Sequence, residues 1–251
     1  MSLRLEDIIA KHQGVRVLGP ICMNLEQGTW LSIVGANGAG KSTLLRILAG
    51  AEAVSDGTYQ FQGRRISELR NAERAKLFAY LAQAAPTQFP FTVREYVLLG
   101  ALPHQWSSET RRRALCDVTK SMSLEGLLER SVVQLSGGEF QRVRLARSLL
   151  QIWLNREASV LILDEPLASL DWKHQEHLLV LLGQLVNQGL TVVDATHQFL
   201  LMPSHDDQVL VLSPRGEALA IGKPSLTITP ELIQNAFELD ERSTFRARLR
   251  F

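Results

Sequence analysis

Cysteine, aromatic side chains and long apolar runs are all scarce in this sequence, and each scarcity removes a class of protein. The only cysteines are Cys22 and Cys116. Two thiols so far apart supply neither a disulfide framework nor metal-ligand spacing, which points to a reducing, cytosolic compartment. No apolar run approaches the ~20 residues that span a bilayer, so a role at a membrane would need a partner to supply the spanning part. The richest stretch, His177 to Val186, is short, contains Gln184, and reads as a buried helix face. Met1 to Ala10 mixes charged with apolar residues and lacks a signal-peptide core. Charge of one sign is also missing. The 27 basic and 26 acidic residues leave a formal charge of +1, which exerts no global pull toward nucleic acid or an anionic membrane. Arg111-Arg112-Arg113 and the tail arginines Arg242, Arg246, Arg248 and Arg250 read as solvated surface. Between Met1 and Glu26 there is no Tyr, Trp or Phe.

What the chain does have is a sizeable apolar fraction, 45% of 251 residues, enough for one compact domain or one domain with two lobes. Four short apolar runs have strand character: Trp30 to Val34, Leu77 to Leu81, Val160 to Leu163 and Leu190 to Val193. Each is followed at once by polar or Gly-rich residues. Ligands of open parallel sheets sit at the carboxyl ends of strands, so four such loops predict one shared site. Helical spacing predicts a helix from Ser42 to Ala49 with Gly50 as its cap, and another from Gly138 to about Gln151. In the second, Val143, Leu145, Ala146, Leu149 and Leu150 form the apolar face, with Arg142 and Arg147 exposed. Thr92 to Val133 reads as mostly helical. Tyr59-Gln60-Phe61 and Ile21 to Leu25 alternate as in antiparallel strands. Gln208 to Leu212 with Ala218 to Ile221 reads as a hairpin, and Pro230 to Phe237 as a final helix.

Gly35-Ala36-Asn37-Gly38-Ala39-Gly40-Lys41-Ser42 matches the phosphate-loop pattern in full, with an apolar strand before it and a helix after it. Glycines let the backbone curl so that several N–H groups face phosphate oxygens. The helix start adds the positive end of its dipole. Lys41 brings a mobile charge for the β- and γ-phosphates, and Ser42 a hydroxyl for Mg²⁺, which takes hard oxygen ligands. Further on, four apolar residues run into Asp164-Glu165. This is the Walker B arrangement: Asp164 would hold Mg²⁺, and Glu165 would orient or deprotonate an attacking water.

Leu135-Ser136-Gly137-Gly138-Glu139, extended by Gln141-Arg142, resembles the signature of the ATP-binding-cassette (ABC) ATPases. The resemblance implies an α/β, P-loop NTPase fold with a RecA-like parallel-sheet core, an N-terminal antiparallel β subdomain and a helical subdomain. It implies one nucleotide-binding domain over 1–251, in which 1–84 and 156–251 form the core and 85–155 the helical, signature-bearing lobe. Thr43 joins the ATP-binding loop. Gln83 resembles the Q-loop glutamine, which senses Mg²⁺ and water. Ala168-Ser169-Leu170-Asp171 resembles the D-loop, with Ser169 and Asp171 as its polar members. His197 resembles the switch histidine at the γ-phosphate. The signature would close on the nucleotide of a facing subunit, implying a head-to-tail homodimer with two ATPs between its halves.

Two features depart from the family pattern: Gln198 replaces the usual Asp after the histidine, and the N-terminal aromatic that stacks on adenine is missing. His12 and Arg16 are candidate replacements. His174 and His177 could share a helix face but lack a third ligand, so they read as surface side chains. Thr92-Val93-Arg94-Glu95-Tyr96-Val97, Gly100 and Pro103-His104 resemble the importer ATPases for iron chelates and vitamin B12. Leu18-Gly19-Pro20 and Leu150-Gln151-Ile152 point to the cobalamin branch. The resemblance then implies ATP hydrolysis coupled to vitamin B12 uptake, with an iron-siderophore or hemin importer as the alternative and a soluble non-transport ATPase as a third reading. Two polytopic permease subunits and, indirectly, a periplasmic solute-binding protein would be partners. The chain would sit peripherally on the cytoplasmic face of the inner membrane, without nucleic acid.

Overall fold

The computed structural model describes residues 2–83, 89–196 and 208–239. The strands are β1 (Ser2–His12), β2 (Val15–Glu26), β3 (Trp30–Val34), β4 (Asp56–Phe61), β5 (Arg64–Arg65), β6 (Phe78–Leu81), β7 (Val160–Asp164), β8 (Thr191–Thr196), β9 (Gln208–Leu212) and β10 (Ala218–Gly222). The helices are α1 (Lys41–Leu48), α2 (Asn71–Leu77), α3 (Val93–Leu98), α4 (Ser108–Ser121), α5 (Gly137–Ile152), α6 (Trp172–Asn187), α7 (Pro224–Thr227) and α8 (Pro230–Phe237). Two compact units emerge. One comprises 1–68 and 193–251, the other 69–192.

The first unit holds an antiparallel sheet of order β2-β1-β4-β5. Leu3 faces Leu25 and Phe61, and Leu5 faces Met23 and Tyr59, so alternate residues form one buried face. The alternation expected from the sequence starts at Ile21, yet β1 runs from Ser2 to His12 and β2 already begins at Val15. Its charged residues Arg4 and Glu6 alternate with buried Leu3 and Leu5, and a register shift after Leu5 brings Ile8 to the buried face, a pattern that short-window composition obscures. The same unit holds β3, parallel to β9 with Val34 opposite Val211, and the antiparallel hairpin of β9 and β10. All five residues of β3 are buried, as expected of a strand covered on both faces. Helix α8 packs Ile233 and Ala236 against Val34, Val209 and Val211.

Strand β8 lies beside β3 and carries a buried acid. Asp194 Oδ1 accepts hydrogen bonds from Trp30 Nε1 and Ser32 Oγ, both at 2.7 Å. Burial pushes its carboxyl up to about 6, against those two bonds, which favour the anion. Trp30, 1% exposed, is thereby fixed in the core and occupied.

In the second unit, β6 and β7 pair in parallel, Phe78 with Val160 and Leu81 with Leu163, and β7 is buried along its whole length. Thr92 caps α3 and Ser107 caps α4, each accepting from a backbone N–H three residues on. The predicted helical stretch is therefore real, though it is broken into α3, α4 and short 3₁₀ turns. Helix α5 corrects one expectation. Arg142 and Arg147 are half-buried, not exposed, because Arg142 Nη1 reaches the carbonyls of Met122 and Ser123 at 3.0 and 2.7 Å and Arg147 lies over the Tyr96 ring. Arg112 and Arg113 are surface residues that pair with Glu109. His174 contacts Asp171 three residues before it, and His177 reaches the Ser121 carbonyl at the end of α4.

The raised folded-state value of Asp194 means its protonated form favours the folded chain below about pH 4, and that contribution is lost as pH rises through 6. Replacing it in Asp194→Asn removes the titration while keeping an acceptor for Trp30 and Ser32. Urea unfolding should show the stability of the variant, relative to the parent, improving by about 3 kcal/mol between about pH 3 and 7. Above that range the difference should stay level. A pH-independent difference would mean that the carboxyl does not titrate in the folded chain.

Candidate nucleotide-binding site

The phosphate loop belongs to the first unit. Val34 ends the buried strand and Gly35 turns at once, so close to Leu212 that a Cβ there would meet its carbonyl oxygen at 3.1 Å. Gly38 and Gly40 both have φ of 85°, a region where a side chain is strained. At Gly40 a Cβ would also come within 2.8 Å of the Val17 carbonyl oxygen. Gly40 is the N-cap of α1, so the loop ends where unpaired helix N–H groups begin. Ala39 is buried and anchors the loop, while Asn37 and Gly38 are exposed. Lys41 folds back over the loop, its Nζ donating to the carbonyls of Gly35 and Ala36 at 2.8 and 3.0 Å. Ser42 is half-buried, and Thr43 Oγ1 accepts from Arg46, which in turn holds Glu52 at 2.8 Å. The two candidate base contacts have partners: His12 Nε2 lies 2.9 Å from Glu52 and Arg16 2.6 Å from Glu217.

The second unit carries the acidic pair and the signature. Asp164 ends β7 at 5% exposure. The next residue, Glu165, has φ of 52°, so the chain turns left-handed immediately after the strand. The turn continues with Ala168 N–H donating to the Glu165 carbonyl and Leu170 N–H to that of Leu167. Ser169, exposed, has φ of 65°. Asp171 caps α6 by accepting from His174 N–H at 2.9 Å, and this bond holds its carboxyl below the usual range.

Ser136 caps α5 reciprocally. Its Oγ accepts from Glu139 N–H, while Glu139 Oε2 accepts from Ser136 N–H at 2.8 Å. The Ser136 N–H and the Ser136 hydroxyl, both donating to Glu139 Oε2, lower this carboxyl. Gly138 comes so near the D-loop that a Cβ there would meet Ser169 O at 2.8 Å. The structure thus brings Ser136, Gly137, Gly138 and Glu139 together with Ser169, after Leu135, in one chain. Gln83 is exposed at a bend just past β6. His197 and Gln198 lie outside the described residues. Among those described, no group of three or more His, Cys, Asp and Glu is placed to hold a metal, and no helix is long and apolar enough to cross a membrane.

The profile of the ABC transporter family matches residues 18–168. The chain belongs to this family. It is an ABC-type ATPase, and it binds ATP. The hemin import ATP-binding protein HmuV of Deinococcus radiodurans is 38% identical over 94% of this chain and 90% of that protein. The HmuV of Pseudomonas entomophila is 36% identical over 95% and 93%. Among solved structures, this ABC ATPase superposes with a TM-score of 0.78 on a transporter described as metal-chelate type in an inward-facing conformation, at 26% identity, covering 95% of this chain and 89% of that one. It also superposes, with a TM-score of 0.76 and 26% identity, on a dimeric ATP-binding cassette in a post-hydrolysis state with ADP and Pi, covering 88% and 98%.

From the sequence, Gln141 is named only as an extension of the signature and Arg144 is not named; both are buried polar residues on α5. Their three-residue spacing puts them on one helix face, which the buried polar Ser148 shares. The cap at Ser136 yields a prediction. Ser136→Ala should lower the stability of the ABC ATPase by about 1 kcal/mol in denaturant unfolding. Its ATP affinity as an isolated chain should stay unchanged, because the signature is read as acting on a facing subunit. A large loss of affinity in the monomer would reverse that assignment.

Proposed function

We propose that this chain is the motor subunit of an import system, a homodimer whose ATP hydrolysis drives two polytopic permease subunits at the cytoplasmic face of the inner membrane. A periplasmic solute-binding protein acts through the permease, and nucleic acid has no part. The observation that carries the reading is the phosphate loop, with its left-handed Gly38 and Gly40 opening α1 and Lys41 folded over its carbonyls. In this reading the backbone from Gly35 to Thr43 and the Lys41 ammonium hold the phosphates, and Gln83 contributes to ATP binding. Ser42, Asp164 and Gln83 all offer oxygen donors, which fits the preference of Mg²⁺ for oxygen ligands with few carboxylates. When bound, the ion neutralises phosphate charge. Glu165 takes the proton of the attacking water, and His197 contacts the γ-phosphate. Leu135 to Glu139 close on the facing subunit's nucleotide, with Ser169 and Asp171 of the D-loop beside them. The helical lobe we assign to 85–155 lies inside the second compact unit. Residues 1–84 and 156–251 supply the nucleotide-binding core.

For the solute, hemin stands first. Relatives at 38% and 36% identity over nearly the whole chain are hemin import proteins, and a metal-chelate transporter shares the fold. Vitamin B12, favoured by the segments around Leu18 and Leu150, is the second reading. Reconstitution with candidate permeases decides between them: the cognate pair should raise ATPase activity and move hemin. Movement of cobalamin alone would reverse the order.

The role of Glu165 has its own test. Glu165→Gln should lower kcat by about 10²–10⁴ with ATP binding intact, and dimer should accumulate with ATP and Mg²⁺ in size-exclusion chromatography. A near-normal kcat would remove Glu165 from the proton-accepting role.

A further inference from the structure

Helix α5 turns polar side chains inward where packing alone would be satisfied by aliphatic ones. Gln141 and Arg144, three residues apart and so on one helix face, are 6% and 8% exposed. Gln141 Nε2 donates to the Pro166 carbonyl at 3.1 Å. Arg144 Nη1 donates to Gln141 Oε1 at 2.8 Å, and its Nη2 donates to the Ala82 carbonyl. The bonds form one continuous path within the second unit, from Ala82 through Arg144 and Gln141 to Pro166. One end precedes Gln83 by a residue and the other follows Glu165 by a residue.

The two ends are not arbitrary points on the backbone. Glu165 sits at φ of 52°, which costs a non-glycine residue on the order of 1 kcal/mol or more and persists only where neighbours over-determine it. Pro166 has no N–H, so its carbonyl is the only backbone hydrogen-bonding group that this residue itself offers. Gln141 holds it. At the other end, β6 stops at Leu81, and the Ala82 carbonyl lies beyond the strand. Arg144 holds that one. Burying a guanidinium is costly unless it is well bonded, and here it donates to the approach to Gln83 and to Gln141, which holds the approach from Glu165.

We infer that Gln141 and Arg144 are positioning residues, a side-chain relay that keeps the left-handed turn at Glu165 and the backbone entering Gln83 in fixed register. The inference rests on the roles proposed above for Glu165 and Gln83. A relay of this kind acts on kcat. It touches neither the phosphate loop nor any group that binds nucleotide.

The test uses the full chain and conservative variants. Gln141→Glu keeps an acceptor for Arg144 but has no N–H for the Pro166 carbonyl. Arg144→Lys keeps the charge and loses the forked geometry. Gln141→Glu should leave the Kd of a fluorescent ATP analogue within twofold and the melting midpoint near the parent's, while kcat falls by about 10–100-fold, the range that outer-shell partners of metal ligands typically show. Arg144→Lys should lower kcat and raise the Mg²⁺ concentration needed for half-maximal rate several-fold. The double variant should be no slower than the slower single one, since both break one path. A purely structural role would instead lower the melting midpoint and leave kcat per folded molecule unchanged.

A parent-like kcat in Gln141→Glu, or losses that multiply in the double variant, would overturn the relay. Glu165→Gln, measured alongside, separates the two levels. If it stalls while Gln141→Glu does not, the relay alone fails. If Glu165→Gln turns over normally, the role of Glu165 fails and the relay fails with it.

Discussion

A strand buried on both faces has to release its chain into a turn within one or two residues of its last ladder bond, and both units of this molecule are organised around that constraint. β3 and β7 are buried along their full length. At the end of β3 the turn is made by glycines, because the backbone must pass within van der Waals distance of Leu212 and Val17 and adopt positive φ twice. At the end of β7 there is no glycine. Glu165 takes the left-handed conformation itself, and the energy for this comes from the contacts around it.

The difference between these turns has a chemical consequence. A glycine loop exposes N–H groups and suits an anion, since nothing but backbone lines it. A turn built on Glu165 instead presents a carboxylate at a defined place, with Asp164 buried one residue earlier. The first turn needs no external support once its glycines are present. The second needs a neighbour to hold Pro166, and α5 supplies it through Gln141. The same helix begins with the Ser136–Glu139 cap and lays Gly138 against Ser169. One helix therefore carries the signature at its start and supports the acidic turn from its interior.

The electrostatics follow burial. Glu139 and Asp171 are exposed or nearly so, and both have lowered carboxyls because backbone N–H groups at helix starts favour the anion. Asp194 has the reverse behaviour: two good donors do not offset its burial. Carboxyls of the same chemical type thus differ in charge preference according to whether water reaches them.

Local pattern in the sequence determined the buried strands at Trp30 and Val160, the phosphate loop with its following helix, the hairpin near the end and the final helix. Each of these depends on short-range steric and periodic rules, so a window of a dozen residues contains the needed information. The family was legible for the same reason, its motifs being contiguous. Tertiary structure alone decided that β1 begins at Ser2, since its alternation becomes significant only when Leu25 and Phe61 are opposite it. It alone placed Arg142 and Arg147 partly inside, because their acceptor and aromatic partners are on other elements. The positions of Gln141 and Arg144 between Ala82 and Pro166 were likewise invisible in the sequence. Hydrogen bonds from a helix to two distant loop carbonyls have no sequence spacing of their own; they exist only once the chain has brought those loops to the same helix face.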